Sequence, residues 1–316
     1  MKYALIFPGQ GAQRPGMGKD IYDSYASARR IFDEADEALG FSLSEIIFNG
    51  TPEELAHTAI TQPAILTVSI AFFRALEQEI GTAVEPVCMA GHSLGEYTAL
   101  VAAGALSLKD GVRLVHKRGD LMQAAVPLGM GSMAAIVGLE LSDVSAICAE
   151  AAQGEVCQAA NINSPTQIVI SGHAGAVHRA VNLIEQKYTA KVVPLRVSAP
   201  FHCSLMRPVA DELKAAFREI EWHLPKFPII ANANARPVRT IAEVREALYT
   251  QTFSPVMWSQ SVLEMENHGV EGYIELGPGS VLSGLIRKIC KGKRPYAAAN
   301  AAELLQAAAY IKGEGK

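Results

Sequence analysis

The sequence predicts an α/β fold, in which a large domain built on a mainly parallel sheet is interrupted by a small inserted domain. Three observations carry this. Short apolar runs alternate with amphipathic helical stretches on both sides of the middle of the chain, the pattern of parallel strands joined by helices. From Gly129 to Pro200 the order changes to strand, helix, strand, strand, helix, strand, the ferredoxin-like βαββαβ order. With 316 residues, 49% hydrophobic and 19% charged, the chain can bury the core that such a fold needs.

Taken in order, Tyr3–Phe7 reads as a buried strand closed by Pro8-Gly9-Gln10-Gly11. That loop is not a dinucleotide fingerprint, because Arg14 holds the third glycine position and Pro15-Gly16 stand where a helix should start. Residues 20–39 read as one amphipathic helix with Ile21, Tyr25, Ala28, Phe32 and Ala35 on a stripe, and 62–80 as a helix buried all round. The apolar run 87–90 breaks at Gly91-His92-Ser93-Leu94-Gly95, and a helix follows. This is a G-x-S-x-G strand-to-helix elbow, which puts the large domain in the α/β-hydrolase-like class. A serine on so sharp a turn needs neighbours without Cβ two residues to either side, and it sits where helix N–H groups favour developing negative charge. The competing reading of the same five residues is an ordinary Gly-Ser loop.

Ser107-Leu108-Lys109-Asp110 opens a further helix that reaches about residue 125. Leu114, Arg118 and Met122 follow at i, i+4 and i+8, so Arg118 lies in the middle of an apolar face. A buried arginine needs an anion or an escape to the surface. The anion is either a carboxylate elsewhere in the fold or the carboxylate of a substrate.

In the insertion, strands are expected at 133–139, 156–161, 167–171 and 192–197, with helices at 142–152 and 174–188. The glycines before it and Ser198-Ala199-Pro200 after it are the joints, which makes the domains 1–128 with 199–316, and 129–198. His202 falls at that seam, where clefts form, and is either an incidental residue or a catalytic one. Beyond a helix to residue 220 come a strand at 228–231, a helix at 240–248 leading to Tyr249-Thr250-Gln251, a helix ending at 267, and a strand at 273–276. Gly277-Pro278-Gly279-Ser280 then reads as the cap of another helix.

A net charge of −4 offers no basic field for nucleic acid. Five scattered cysteines without a C-x-x-C pair fit reduced thiols better than a disulfide framework or a zinc site. The first residues are too short for a signal segment, and no uncharged apolar run is long enough to cross a membrane. The expectation is a cytoplasmic protein without membrane contact.

Seven blocks in order resemble the malonyl-CoA:acyl-carrier-protein transacylases of bacterial fatty-acid synthesis, relatives of polyketide-synthase acyltransferase domains. They are Phe7-Pro-Gly-Gln-Gly-Ala-Gln13, Gly91-His-Ser-Leu-Gly-Glu96, Arg118-Gly119, Asn161-Ile-Asn163-Ser-Pro165, His202, Gln251 and Glu275-Leu-Gly-Pro-Gly279. The resemblance implies Ser93 as nucleophile, His202 as its base, and the N–H groups of Gln10 and Leu94 as the oxyanion hole. It implies that Arg118 pairs with the malonyl carboxylate, that the backbone carbonyl of Gln251 orients the histidine, and that Gln251, Asn163 and Phe201 belong with Arg118 to the substrate site. In the polyketide relatives a Phe-His pair goes with malonyl, so Phe201 is a weak vote for that substrate. The implied partners are malonyl-CoA and holo acyl carrier protein, with no metal or bound redox cofactor.

Arg287, Lys288, Lys291, Lys293 and Arg294 crowd a helix end, either as a docking patch for an acidic carrier or as ordinary cations at a helix C-terminus. Two rival readings use the same Ser/His pair: an acyl hydrolase, and an acyltransferase serving a polyketide assembly line in trans. A third is a non-catalytic carrier-binding protein.

Overall fold

β1 (Tyr3–Phe7) is buried along its whole length, as a strand covered on both faces must be. The computed structural model describes residues 2–195, 197 and 199–314. After β1 come α1 (Lys19–Ser24), α2 (Ala26–Leu39), α3 (Leu43–Asn49), α4 (Pro52–Ala56) and the long α5 (Thr58–Ile80). β2 (Cys88–Gly91) enters α6 (Leu94–Ala102) through the serine elbow, and α7 (Leu108–Ala124) follows. The middle of the chain forms β3 (Gly131–Val137), α8 (Leu141–Ala152), β4 (Cys157–Ser164), β5 (Gln167–His173), α9 (Ala174–Lys187) and β6 (Lys191–Pro194). The return comprises α10 (Arg207–Ala216), β7 (Ile229–Ile230), β8 (Pro237–Val238), α11 (Ile241–Phe253), α12 (Trp258–Asn267), β9 (Gly272–Leu276), α13 (Val281–Ile289), β10 (Tyr296–Ala298) and α14 (Ala301–Lys312).

Two sheets organise these elements. The larger runs β10-β9-β1-β2-β7-β8, parallel throughout except for the short edge strand β8. The smaller is antiparallel in the order β4-β5-β3-β6, with α8 and α9 packed on it around a core of its own. The two meet where Val256 joins β4, its N–H donating to Ala160 O at 2.9 Å and its carbonyl accepting from Ile162 N at 2.8 Å. By length and composition α5 could cross a membrane, but 83% of its most apolar window is buried inside the structure, where it is the central helix of the large core.

Several expectations are corrected. The helix over 20–39 is broken at Tyr25, whose backbone is extended at φ −124° and ψ 118°, so that α1 and α2 are separate. The apolar stripe survives the break because packing, rather than the helical period alone, selects the backbone. Ser280 does not cap α13 with its side chain; the buried Glu275 carboxylate accepts from Leu282 N at 3.1 Å and Ser283 N at 2.7 Å instead. Gln251 lies inside the last turn of α11 rather than beyond it, which leaves its carbonyl without a helical partner. β8 and β10 are too short to leave a period in the sequence. The expected strand residue Arg196 and the joint at Ser198 lie outside the described residues, as do Met1, Gly315 and Lys316 at the domain limits.

Gly95 and Gly284 allow a paired test. A Cβ on Gly95 would stand 2.1 Å from Phe7 O, whereas one on Gly284, within α13, meets nothing within 4 Å. Gly95→Ala should lower stability by about 3 kcal/mol or more, and Gly284→Ala should raise it by up to about 1 kcal/mol. Denaturant midpoints measure both.

Candidate active site

Ser93 is held at φ 52° and ψ −105°, a region that a residue with a side chain rarely enters. The turn closes only because Gly91 and Gly95 lack side chains; a Cβ on Gly91 would lie 2.0 Å from the Gly95 carbonyl carbon. Asn232, just past β7, clamps the elbow. Its Oδ1 accepts from Ser93 N at 2.7 Å, and its Nδ2 donates to Gly91 O at 2.7 Å.

His202 comes from the seam after the insertion, also at positive φ (57°), and is 3% exposed. Its Nδ1–H donates to Gln251 O at 2.9 Å. That bond selects the tautomer whose Nε2 carries the lone pair, which faces the Ser93 hydroxyl at 2.7 Å. Burial, and then the nearby Arg118 charge, push the imidazole down to about 3. His202 is therefore a neutral imidazole across the ordinary pH range.

Leu94 is the first residue of α6, so its N–H is one of the donors a helix start leaves free toward a ligand. Gln10, in the loop after β1, lines the same cavity of about 110 Å³ as Ser93, His202, Arg118 and Phe201. This cavity adjoins one of about 270 Å³, lined by Gln10, Asn163, Gln167 and three residues of α13, Val281, Leu282 and Leu285; Gln10 and His92 belong to both. Asn163 does not line the smaller cavity; its Oδ1 accepts from His92 Nε2 at 2.8 Å, which ties the inserted sheet to the elbow.

Arg118 is 2% exposed on α7. Nη1 donates to Gln62 Oε1 at 2.7 Å, while Nη2 donates to Gln251 Oε1 at 3.0 Å and to Ser93 Oγ at 3.2 Å. The guanidinium stacks over Tyr97, 5.2 Å from the ring centroid. Its Nε is buried without a hydrogen-bond partner. Among the described residues no carboxylate touches it, so a full positive charge is held by amides, a hydroxyl and a ring beside Ser93. An incoming carboxylate would find that charge preorganised.

Gln251, grouped with the substrate pocket on the sequence, is fully buried behind Arg118 and His202. It shapes them rather than the cavity surface. Sequence reading missed Asn232, Glu96 and Gln62. Glu96 and Gln62 carried the signal that exposed Arg118, a polar side chain in an apolar helix; Asn232 carried none. Among the described residues, no group of three or more His, Cys, Asp or Glu is placed to hold a metal ion.

The family model for the acyl transferase domain matches residues 4–309. A malonyl CoA-acyl carrier protein transacylase of Escherichia coli K12 is 45% identical over 288 residues, covering 91% of this chain and 93% of that one. An acyl carrier protein S-malonyltransferase of Vibrio cholerae superposes with a TM-score of 0.93 at 44% identity, covering 96% and 99% of the two chains. A malonyl-transacylase solved in complex with a holo acyl-carrier protein of a type II PKS gives 0.95 at 40%, covering 98% and 100%.

The neutrality of His202 has a kinetic signature. A histidine of ordinary pKa would be about nine-tenths protonated at pH 5.5, costing roughly tenfold in rate. Labelling of Ser93 by a fluorophosphonate should instead change by less than about twofold between pH 7.5 and 5.5. A fall with a midpoint near 6.5 would contradict the geometry.

Proposed function

This chain belongs to the acyl transferase domain family, and from that premise we propose that it moves the malonyl group from malonyl-CoA to the phosphopantetheine thiol of an acyl carrier protein, supplying fatty-acid synthesis. The observation that carries the reading is the buried Arg118, with no carboxylate of the described residues in contact and Nη2 3.2 Å from Ser93 Oγ. A hydrolase for neutral acyl chains gains nothing from such a charge. The acyl group this site favours bears its own carboxylate.

The reaction proceeds in two halves. Ser93 Oγ passes its proton to His202 Nε2 and attacks the thioester carbon. The oxyanion is met by the N–H groups of Leu94 and Gln10. The C–S bond breaks, the proton moves from His202 to the departing coenzyme A thiolate, and a malonyl-serine ester remains with its carboxylate on Arg118. The carrier thiol then gives its proton to His202 and attacks the ester; Ser93 leaves as alkoxide and recovers the proton. The kinetics are ping-pong. Phe201 narrows the pocket beside Ser93, and the larger cavity receives the pantetheine arm of either thiol. Neither half needs a metal or redox cofactor, and the setting is cytoplasmic.

The finer fold reading goes with this proposal: an α/β-hydrolase-like large domain, 1–128 with 199–316, and a ferredoxin-like insertion, 129–198. It is supported by the elbow on a parallel sheet and by the antiparallel order β4-β5-β3-β6.

For the carrier, the cations in the last turn of α13 and just beyond it form the docking surface. Arg287, Lys288, Lys291 and Arg294 are exposed, although Lys288 donates to Gln167 Oε1 at 2.9 Å. Lys293 drops out of the patch, because its ammonium is paired with Glu266 at 3.0 Å and bonded to Val270 O at 2.9 Å.

Intact-protein mass spectrometry tests the reaction. Malonyl-CoA should add a malonyl group to wild type but not to Ser93→Ala, and holo carrier protein should then take it. Arg118→Ala should lose preference for malonyl over acetyl donors by roughly tenfold or more, the worth of a charge-assisted hydrogen bond. An adduct that disappears into water without reaching the carrier would favour the hydrolase. Charge reversal at Lys291 and Arg294 should raise KM for carrier protein and leave KM for malonyl-CoA unchanged; equal effects on both would remove the docking surface.

A further inference from the structure

Glu96 is a carboxylate that the reaction above does not use. It stands in the first turn of α6, three residues past the nucleophile, and is 1% exposed. Its Oε2 accepts from Gln251 Nε2 at 2.9 Å and from Asn232 N at 3.0 Å. Both donors belong to residues that hold the site.

A glutamine amide can face either way, and the choice matters at residue 251. Facing Glu96, its Nε2 donates to the carboxylate and also to Ser93 O at 2.9 Å. Its Oε1 is then left to accept from Arg118 Nη2 at 3.0 Å. In the flipped state the amide NH₂ would confront the guanidinium, donor against donor, and the carbonyl would confront the carboxylate. An ionised Glu96 accepts only, so it selects the first state. The same residue's backbone carbonyl holds His202 Nδ1. Through Asn232, Glu96 also supports the amide of Ser93.

We propose that Glu96 is a positioning residue that sets the Gln251 amide and thereby fixes Arg118 for a substrate carboxylate and His202 for Ser93, while its charge balances Arg118 when no substrate is bound. The role rests on the malonyl reading of Arg118. Positioning and charge are separable. A protonated carboxyl keeps an oxygen that accepts from Gln251 and Asn232, but it no longer offsets the guanidinium.

Burial raises the Glu96 carboxyl to about 7, against the opposing pull of the Asn232 and Gln251 hydrogen bonds and the Arg118 charge. Of the groups around the site, burial pushes Tyr97 on the same helix to about 12 and holds His202 near 3, so both stay neutral between pH 5.5 and 8.5, while Arg118 on α7 stays charged. Among these groups Glu96 alone changes charge in that window. As pH falls it becomes neutral, Arg118 loses its counter-charge, and the attraction for an incoming carboxylate grows.

Two variants and two readouts test this on the full chain. Fluorophosphonate labelling reports Ser93 and His202 without any malonyl group. Acyl-enzyme formation from malonyl-CoA against acetyl-CoA reports Arg118. Glu96→Ala should slow labelling about tenfold or more, whereas Glu96→Gln, which retains one carbonyl oxygen for both donors, should stay within about threefold of wild type. In wild type the malonyl-to-acetyl ratio should rise as pH falls through neutrality; in Glu96→Gln it should be high and flat.

Equal labelling of Glu96→Ala and wild type would overturn the positioning role. A Glu96→Gln ratio that follows the wild-type pH dependence would overturn the charge role. Should Glu96→Ala fail to fold, Glu96→Gln alone decides, and a loss of labelling there would overturn the proposal. If wild type forms no malonyl adduct the proposed function falls, and the labelling comparison still decides whether Glu96 positions the dyad.

Discussion

A full positive charge buried beside the Ser93 hydroxyl is expensive, and much of this site is the means of keeping one there. Among the described residues Arg118 has no ion-pair partner in contact. Its N–H groups are met by Gln62, Gln251 and Ser93, its face by Tyr97, and its nearest compensating charge stands one side chain away on Glu96. Removing a carboxylate from direct contact leaves the guanidinium free to accept one from a ligand. The same charge, added to burial, keeps His202 unprotonated and so available as a base. One side chain thus sets both the charge in the cavity and the protonation state of His202.

The backbone pays for this arrangement locally. Ser93 and His202, whose side chains are hydrogen-bonded to each other, both sit at positive φ. Asn232 and Gln251 bridge them to the elbow, and the glycines at 91 and 95 admit the contact of β2, α6 and β1 that makes the turn possible. The inserted sheet contributes from the other side, through Asn163 on His92 and the pairing of β4 with Val256. The cavity therefore lies between two cores that would otherwise have no reason to be aligned.

Much of this was legible from the residues alone, for identifiable reasons. Glycine at fixed offsets around a serine, a cation at helical spacing among apolar residues, and capping residues at Ser107 each reflect interactions within a few positions of the chain. The broken helix at Tyr25, the capping of α13 by Glu275 and the placement of Gln251 within α11 were not legible. Each of these depends on a neighbour far along the sequence or on a boundary that periodicity does not resolve. Lys293 shows the same limit at the surface: a cation in a cationic cluster reads as free until its distant partner Glu266 is brought to it.

The sequence by itself determined the alternation that builds the parallel sheet, the change of element order in the middle of the chain, the elbow at Ser93 and the misplaced charge at Arg118, because patterning, turn chemistry and burial preference act locally. Only the tertiary structure decided what surrounds that charge. Gln62, Glu96, Arg118 and Gln251 come from four separate helices and Asn232 from the turn after β7, and no local rule links them. Their hydrogen bonds exist because packing removes water from all five at once and leaves their buried donors and acceptors, Arg118 Nε excepted, to find partners among the others and their neighbours.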